Sequence, residues 1–254
     1  MSRPGSSTSR VRRRALQLLV ILGLLSVWEA ATRSGIISPL FASPPTLVAE
    51  HLYAGMADGS LWQPTAVTLY EVAVTLLLVI LIGTPLGYLM WRFGGVGAAY
   101  ESLLASLFAS PVILLFPLFF VVLGRGRTAV IAQGILLGGI PVVLYTYRGL
   151  RDVPRALLDT GRSLGLSGFR LFRHISLPSA TGTIFTGLRL GTTFILVGVI
   201  AVEYLGQTGG LGTYVANASL VFDTAAMYTG VVLVILLTSL VLVLTYQMEK
   251  WVHQ

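Results

Sequence analysis

Apolar residues lie along this chain in long blocks, from Ala15 to Trp28, Ala66 to Trp91, Ala98 to Leu123, Thr128 to Tyr147, Ile184 to Leu205 and Tyr228 to Tyr246. A helix crosses about 30 Å of hydrocarbon in about 20 residues, and in lipid each backbone amide must be satisfied within its own segment. The pattern therefore predicts an all-α polytopic membrane protein with about six transmembrane helices. Its expected segments are a basic N-terminus at 1–14, a first span at 15–31, an outer loop at 32–65, a core at 66–247 that includes a polar inner loop at 148–183, and a C-terminal tail at 248–254. The first span follows five arginines and has the length of a signal-peptide core, but Trp28 and Glu29 crowd any cleavage site, so an uncleaved anchor is expected.

Composition sharpens this picture. Of 254 residues 55% are hydrophobic and 11% charged, which leaves no room beside six spans for a large soluble domain. The net charge is +7, and every basic residue except Lys250 is arginine. With the N-terminus inside, the inner segments collect the N-terminal arginines, Arg92, the six arginines between Arg148 and Arg173, and Lys250. The positive-inside rule thus predicts both termini in the cytoplasm and argues against nucleic-acid binding. The chain has no cysteine, and His51, His174 and His253 are scattered, so no metal site is expected.

The loops carry further expectations. Val48, Leu52 and Met56 recur at helical spacing after Pro44-Pro45, predicting a short interfacial helix capped by Ser43 or Thr46. Gly206 to Gly212 predicts a tight turn or re-entrant element. In the inner loop, Pro154 can start a helix with Leu157, Gly161 and Leu164 on one face, and Gly165 can stop it. A second helix would begin near Ser167, line up Phe169, Phe172 and Ile175, and end at Pro178. From these residues alone the loop reads equally as a docking hairpin or as a solvated basic segment that fixes topology.

Charged and polar residues inside spans are costly and often functional. Glu203 is either a gate residue or an interfacial carboxylate in water. Arg189 reads first as a snorkelling side chain and second as an anion contact. Glu71 and Glu101 read as interfacial rather than as proton carriers. Gln133, midway along its span, either bonds another helix or lines a path, the first being the commoner use. Gly187 and Gly191 are spaced for close helix contact.

The inner loop resembles the coupling loop of bacterial ATP-binding-cassette importer permeases, with pattern Glu-Ala-Ala, three residues, Gly, nine residues, Ile, one residue, Leu-Pro. Gly165, Ile175, Leu177 and Pro178 match at that spacing, and Asp159-Thr160-Gly161 stands in place of Glu-Ala-Ala. Gly83-Thr84-Pro85-Leu86-Gly87, Ser110-Pro111, Phe116-Pro117, Gly187-Leu188-Arg189-Leu190-Gly191, Glu203 and Gly210-Leu211-Gly212 extend the likeness to the nitrate, sulfonate and taurine branch over nearly the whole chain. A departure is Glu71, where that branch usually has a basic residue.

The resemblance implies a type I importer permease without enzymatic activity of its own, for a small, anionic solute. Two cytoplasmic ATPase subunits carrying ATP and Mg would grip the loop through Asp159, Thr160, Gly161, Gly165, Phe169, Phe172, Ile175, Leu177 and Pro178. A second permease subunit, expected to be a copy of this chain, would complete the path, and an extracytoplasmic binding protein would deliver solute. Glu203, Arg189 and Gln133 are the path or gate candidates, and the implied location is the bacterial inner membrane. The sequence agrees on one point, since it lacks a phosphate-binding G-x-x-x-x-G-K-[ST] loop. The alternative is an ion-gradient-driven secondary transporter, which would favour acids at mid-membrane, whereas these acids lie near span ends.

Overall fold

The structure, a computed structural model, describes residues 6–252, and among them there is no β-strand. The helices are α1 (Ser6–Arg33), α2 (Pro45–Ala57), α3 (Trp62–Arg92), α4 (Gly94–Ala109), α5 (Phe116–Leu123), α6 (Arg127–Arg151), α7 (Arg155–Ser163), α8 (Gly168–Leu171), α9 (Leu177–Gly206), α10 (Gly210–Leu220) and α11 (Thr224–Val252). Five stretches are long and apolar enough to cross a membrane, or six if α4 and α5 together make one span. Arg3 and His253 lie outside the described residues.

Two expectations about helix continuity are corrected. The run from Ala98 to Leu123 is not one straight span: its two arms meet at 87°. Pro111 has no N–H to donate and holds Ser110 in an extended conformation with ψ of 155°, so the helix ends there and restarts through the 3-10 turn Val112–Leu115. Conversely, Pro178 does not end the second helix of the inner loop. The π-helical turn Phe172–Ser176 links α8 to α9, and the Leu177 N–H reaches back to the Phe172 carbonyl. That widened turn carries the helix past a proline whose ring would clash with a regular α-helical carbonyl.

The described chain forms two compact units. One combines the segment up to Leu61 with Val215–Val232. Along α1 the apolar side chains from Leu16 to Val27 are largely exposed, as a surface made for hydrocarbon requires. The end of α1 is held by packing: the Trp28 and Tyr228 rings lie 5.4 Å apart, and Glu29 accepts bonds from the Thr46 N–H (3.1 Å) and hydroxyl (2.7 Å). The predicted α2 is present and buries Val48, but Met56 stays on the surface. Neither expected residue caps it, because Ser43 is bonded to the Thr224 hydroxyl at 2.6 Å and Thr46 to Glu29, leaving Pro44 at the N-cap with no side-chain bond.

The other unit combines Trp62–Tyr214 with the chain from Leu233 onward. Its core gathers Val72 and Val79 of α3, Val130 and Val142 of α6, Ile195, Leu196, Val199 and Val202 of α9, Leu211 of α10, and Leu237 and Val241 of α11. In lipid there is no hydrophobic gain from pairing apolar helices, so association depends on close packing through small residues. A Cβ on Gly134 would meet the Thr75 side chain at 2.8 Å, one on Gly138 the Gly191 carbonyl at 2.8 Å, and one on Gly191 the Gly138 carbonyl at 2.7 Å. Gly187 likewise faces Tyr145 and the Pro141 carbonyl, so the Gly187 to Gly191 spacing serves packing against α6. These contacts set α3 parallel to α6 and α9 antiparallel to both, which places Glu71 and Glu203 together at one end of the unit and the α7–α8 hairpin at the other.

Candidate functional site

The hairpin follows from its glycines and its proline. Pro154 stands at the N-cap of α7, and Gly165, with φ of 78°, closes the helix by a Schellman motif. Its N–H bonds the Arg162 carbonyl at 2.9 Å while the Leu166 N–H bonds Gly161 at 3.0 Å. Gly161 is buried because a Cβ there would lie 2.6 Å from Leu171 Cδ1 and 3.0 Å from Ile175 Cγ1. The glycine thus lets α7 fold onto the turn that leads into α9. The expected Leu157, Gly161, Leu164 face is corrected: Leu157 and Leu164 are exposed, and it is Leu158 that packs inward.

The aromatic face expected for the hairpin divides in two. The Phe172 ring is half-buried, 5.0 Å from the Tyr88 ring and 5.7 Å from that of Trp91, so it anchors the hairpin to the end of α3. The Phe169 ring lies 6.1 Å from that of Phe172 but is 69% exposed, and Leu164 is exposed at 74%. Between them opens an apolar groove of about 340 Å³ lined by Thr84, Tyr88, Phe169, Phe172, Leu177 and Ile184 among others. Ile175 is half-buried against Gly161, and Pro178 is exposed. Asp159 is exposed and paired with Arg162 at 2.9 Å, while the Thr160 hydroxyl bonds the Ala156 carbonyl at 2.8 Å. Sequence reasoning missed Tyr88 and Trp91. Their signal was an aromatic pair near the inner end of the second apolar run.

At the opposite end, about 40 Å along α9 at 1.5 Å per residue, Glu203 is fully buried. Of the two readings of Glu203, the interfacial carboxylate in water therefore does not hold. The Thr68 hydroxyl lies 2.7 and 3.0 Å from its two oxygens, and the Gly212 N–H donates to Oε2 at 2.8 Å. Thr68 Oγ1 in turn accepts the Leu211 N–H at 2.8 Å. A side chain at Gly210 would collide with the Glu203 carboxylate, and one at Gly212 would lie 2.7 Å from Glu203 Cβ. The Gly-Leu-Gly sequence therefore exists to wrap a tight turn, with Gln207 and Gly210 at φ of 49° and 79°, around one carboxyl group.

Glu71, three residues after Thr68 and so on the same face of α3, is also fully buried. It is not interfacial, as the sequence suggested, and it lies within hydrogen-bonding reach of Glu203. The other candidates do not join this cluster through any hydrogen bond or ion pair shown. Gln133 is buried and donates to the Val112 carbonyl at 2.9 Å, which satisfies a backbone group freed where the bent span breaks. Arg189 pairs with Glu249 and stands 5.7 Å from the Tyr246 ring centre, so its guanidinium is tied to α11. Glu101 bridges Arg148, at 2.7 Å, and Arg151, fastening α4 to the end of α6.

Residues 79–254 match the family described as binding-protein-dependent transport system inner membrane component. The riboflavin transport system permease protein RibX of Chloroflexus aurantiacus is 30% identical over 247 residues, covering 96% of this chain and 91% of that one. The taurine transport system permease protein TauC of Escherichia coli (strain K12) is 28% identical over 234 residues, covering 90% and 85%. Among solved structures, a chain of the MetNI methionine ABC transporter in an inward-facing conformation shares the fold, with a TM-score of 0.66 at 18% identity over 76% of this chain and 96% of that one.

Proposed function

The chain belongs to the family of binding-protein-dependent transport system inner membrane components, and from that premise we propose how it works as a permease subunit of an ABC importer. The family sets aside the ion-gradient-driven transporter as the alternative. The hairpin from Asp159 to Pro178 is the surface on which a separate ATPase, holding ATP and Mg, takes hold. One observation carries this reading: the hairpin is fused to α9 through an unbroken π turn and pinned by Phe172, yet leaves Phe169 and Leu164 bare. A push on that bare patch is delivered to the whole of α9 as rigid-body motion. Two ATPases act on two copies of the permease, with both termini on the ATPase side of the bacterial inner membrane and a binding protein supplying solute on the other.

The solute is a small anion of the sulfonate class. The likeness to a taurine permease supports this, and the likeness to a riboflavin permease supplies the competitor for a direct test. In liposomes holding the chain with its ATPase and binding protein, ATP-dependent uptake of labelled taurine is expected to exceed uptake of riboflavin. Phe169→Glu is expected to cut ATPase copurification by about tenfold or more, the equivalent of roughly 1.4 kcal/mol, with membrane insertion unchanged. Gly165→Val, which must force a β-branched residue into the left-handed region, is expected to lower uptake more than binding. Full uptake by both variants overturns the role given to the hairpin.

A further inference from the structure

Glu71 and Glu203 present a charge problem that importer coupling leaves unused. Both are fully buried, and no ion pair to either occurs among the described residues. Glu203 is supplied with donors by Thr68 and by the Gly212 N–H. Glu71 is not: both of its oxygens are sealed from solvent and neither accepts a bond from any N–H or O–H donor. What stands within reach of the Glu71 carboxyl is the Glu203 carboxyl. Arg127, the first residue of α6, stands with its guanidinium 6.0 Å from the centre of the Tyr70 ring and forms no ion pair with either carboxyl group among the described residues.

We propose that Glu71 and Glu203 together form a binding site for a single proton, carried on Glu71 and donated to the Glu203 carboxylate, which latches α3 to the turn between α9 and α10. The division of labour follows from the donors. Glu203 accepts bonds from the turn and from Thr68, the environment of an ionised carboxylate, whereas an orphaned Glu71 gains a partner only by becoming a donor itself. With the hydrogen in place, α3 holds the turn through two adjacent residues of one helical face, Thr68 and Glu71. Without it, two like charges share one dry space and the latch is driven apart. Gly210 and Gly212 let the turn close over Glu203, since a side chain at Gly210 would run into its carboxylate and one at Gly212 into the Ile200 carbonyl and Glu203 Cβ.

Infrared spectroscopy of the full chain in lipid nanodiscs tests this, because a protonated carboxylic acid has a carbonyl stretch that an ionised one lacks. At neutral pH, in sodium-free buffer and in sodium buffer alike, the wild type is expected to show this band, shifted in D2O and shifted again when glutamate is labelled with carbon-13. Glu71→Gln, a near-isostere, is expected to lose it, and Glu203→Gln to move it as the acceptor changes from carboxylate to amide. Absence of the band from the wild type, its survival unchanged in Glu71→Gln, or its appearance only when sodium is withdrawn would each overturn the one-proton site, the last by assigning the pocket to a metal cation. The isotope and buffer arms use the wild type alone, so they decide the matter even where a variant fails to fold.

Discussion

The two ends of α9 break opposite rules of residue placement. At the hairpin end Phe169 and Leu164 stand exposed, while at the other end two carboxyl groups lie in the dry interior. Large apolar side chains exposed on a segment that is otherwise polar are what the proposed ATPase contact would cover. A buried acid needs its hydrogen bonds supplied by the fold, and here a glycine turn and a threonine supply them to Glu203 but not to Glu71. One rigid helix thus carries exposed apolar side chains near one end and, at the other, a carboxylate held by the Thr68 hydroxyl and the Gly212 N–H. Both ends depend on the same middle, the glycine contacts between α6 and α9.

A substitution in that middle is therefore expected to do the most damage. Gly191→Leu drives side-chain carbon into the Gly138 carbonyl and the Val142 side chain, each 2.7 Å from the position of a Cβ. Overpacking typically costs about 1–3 kcal/mol, and with backbone on the receiving side the expected loss is about 3 kcal/mol. Thermal unfolding in detergent should show a lowered midpoint, and both ends should fail together. A midpoint like that of the wild type would mean that α6 and α9 are not held by this contact.

Thr68→Val separates the ends. It keeps the shape of the side chain but removes the hydroxyl that bonds Glu203 and Leu211, leaving buried polar groups unsatisfied at about 1–3 kcal/mol. The midpoint should fall by less than in Gly191→Leu, whereas copurification with the ATPase should be retained. Loss of ATPase binding here would show that the two ends are not independent. The mildest change sharpens the contrast from the other side. Leu164→Ser alters an exposed position, for which stability effects are usually within about 0.5 kcal/mol, so the unfolding curve should not move while ATPase copurification weakens. A lowered midpoint would mean that Leu164 packs within the chain and is not held free for a partner.

Much of this was legible in the residues. Hydropathy over twenty-residue windows registers a membrane span whatever its neighbours are, and Gly165 announced a helix stop because few other residues enter the left-handed region without strain. Periodicity was less able to say which side of a helix finds a neighbour. It placed Leu157 inward where Leu158 packs, and it gave no sign that Tyr88 and Trp91, eighty residues earlier, would pack on Phe172 while Phe169 beside it stays largely exposed. It likewise expected Pro178 to stop a helix, since nothing local foretells that a π turn will shift the hydrogen-bond register ahead of it.

The all-helical spans, the hairpin with its glycine stop and the likeness to the family could all be read from the residues, because these rest on local composition and on spacing within one segment. Only the tertiary structure decided that Glu71 and Glu203 meet. They are separated by more than a hundred residues, each near a span end where water was the expected partner, and whether a carboxyl group faces water or another carboxyl depends on which helix packs beside it. That choice is made by the close glycine contacts that bring α3, α6 and α9 into register.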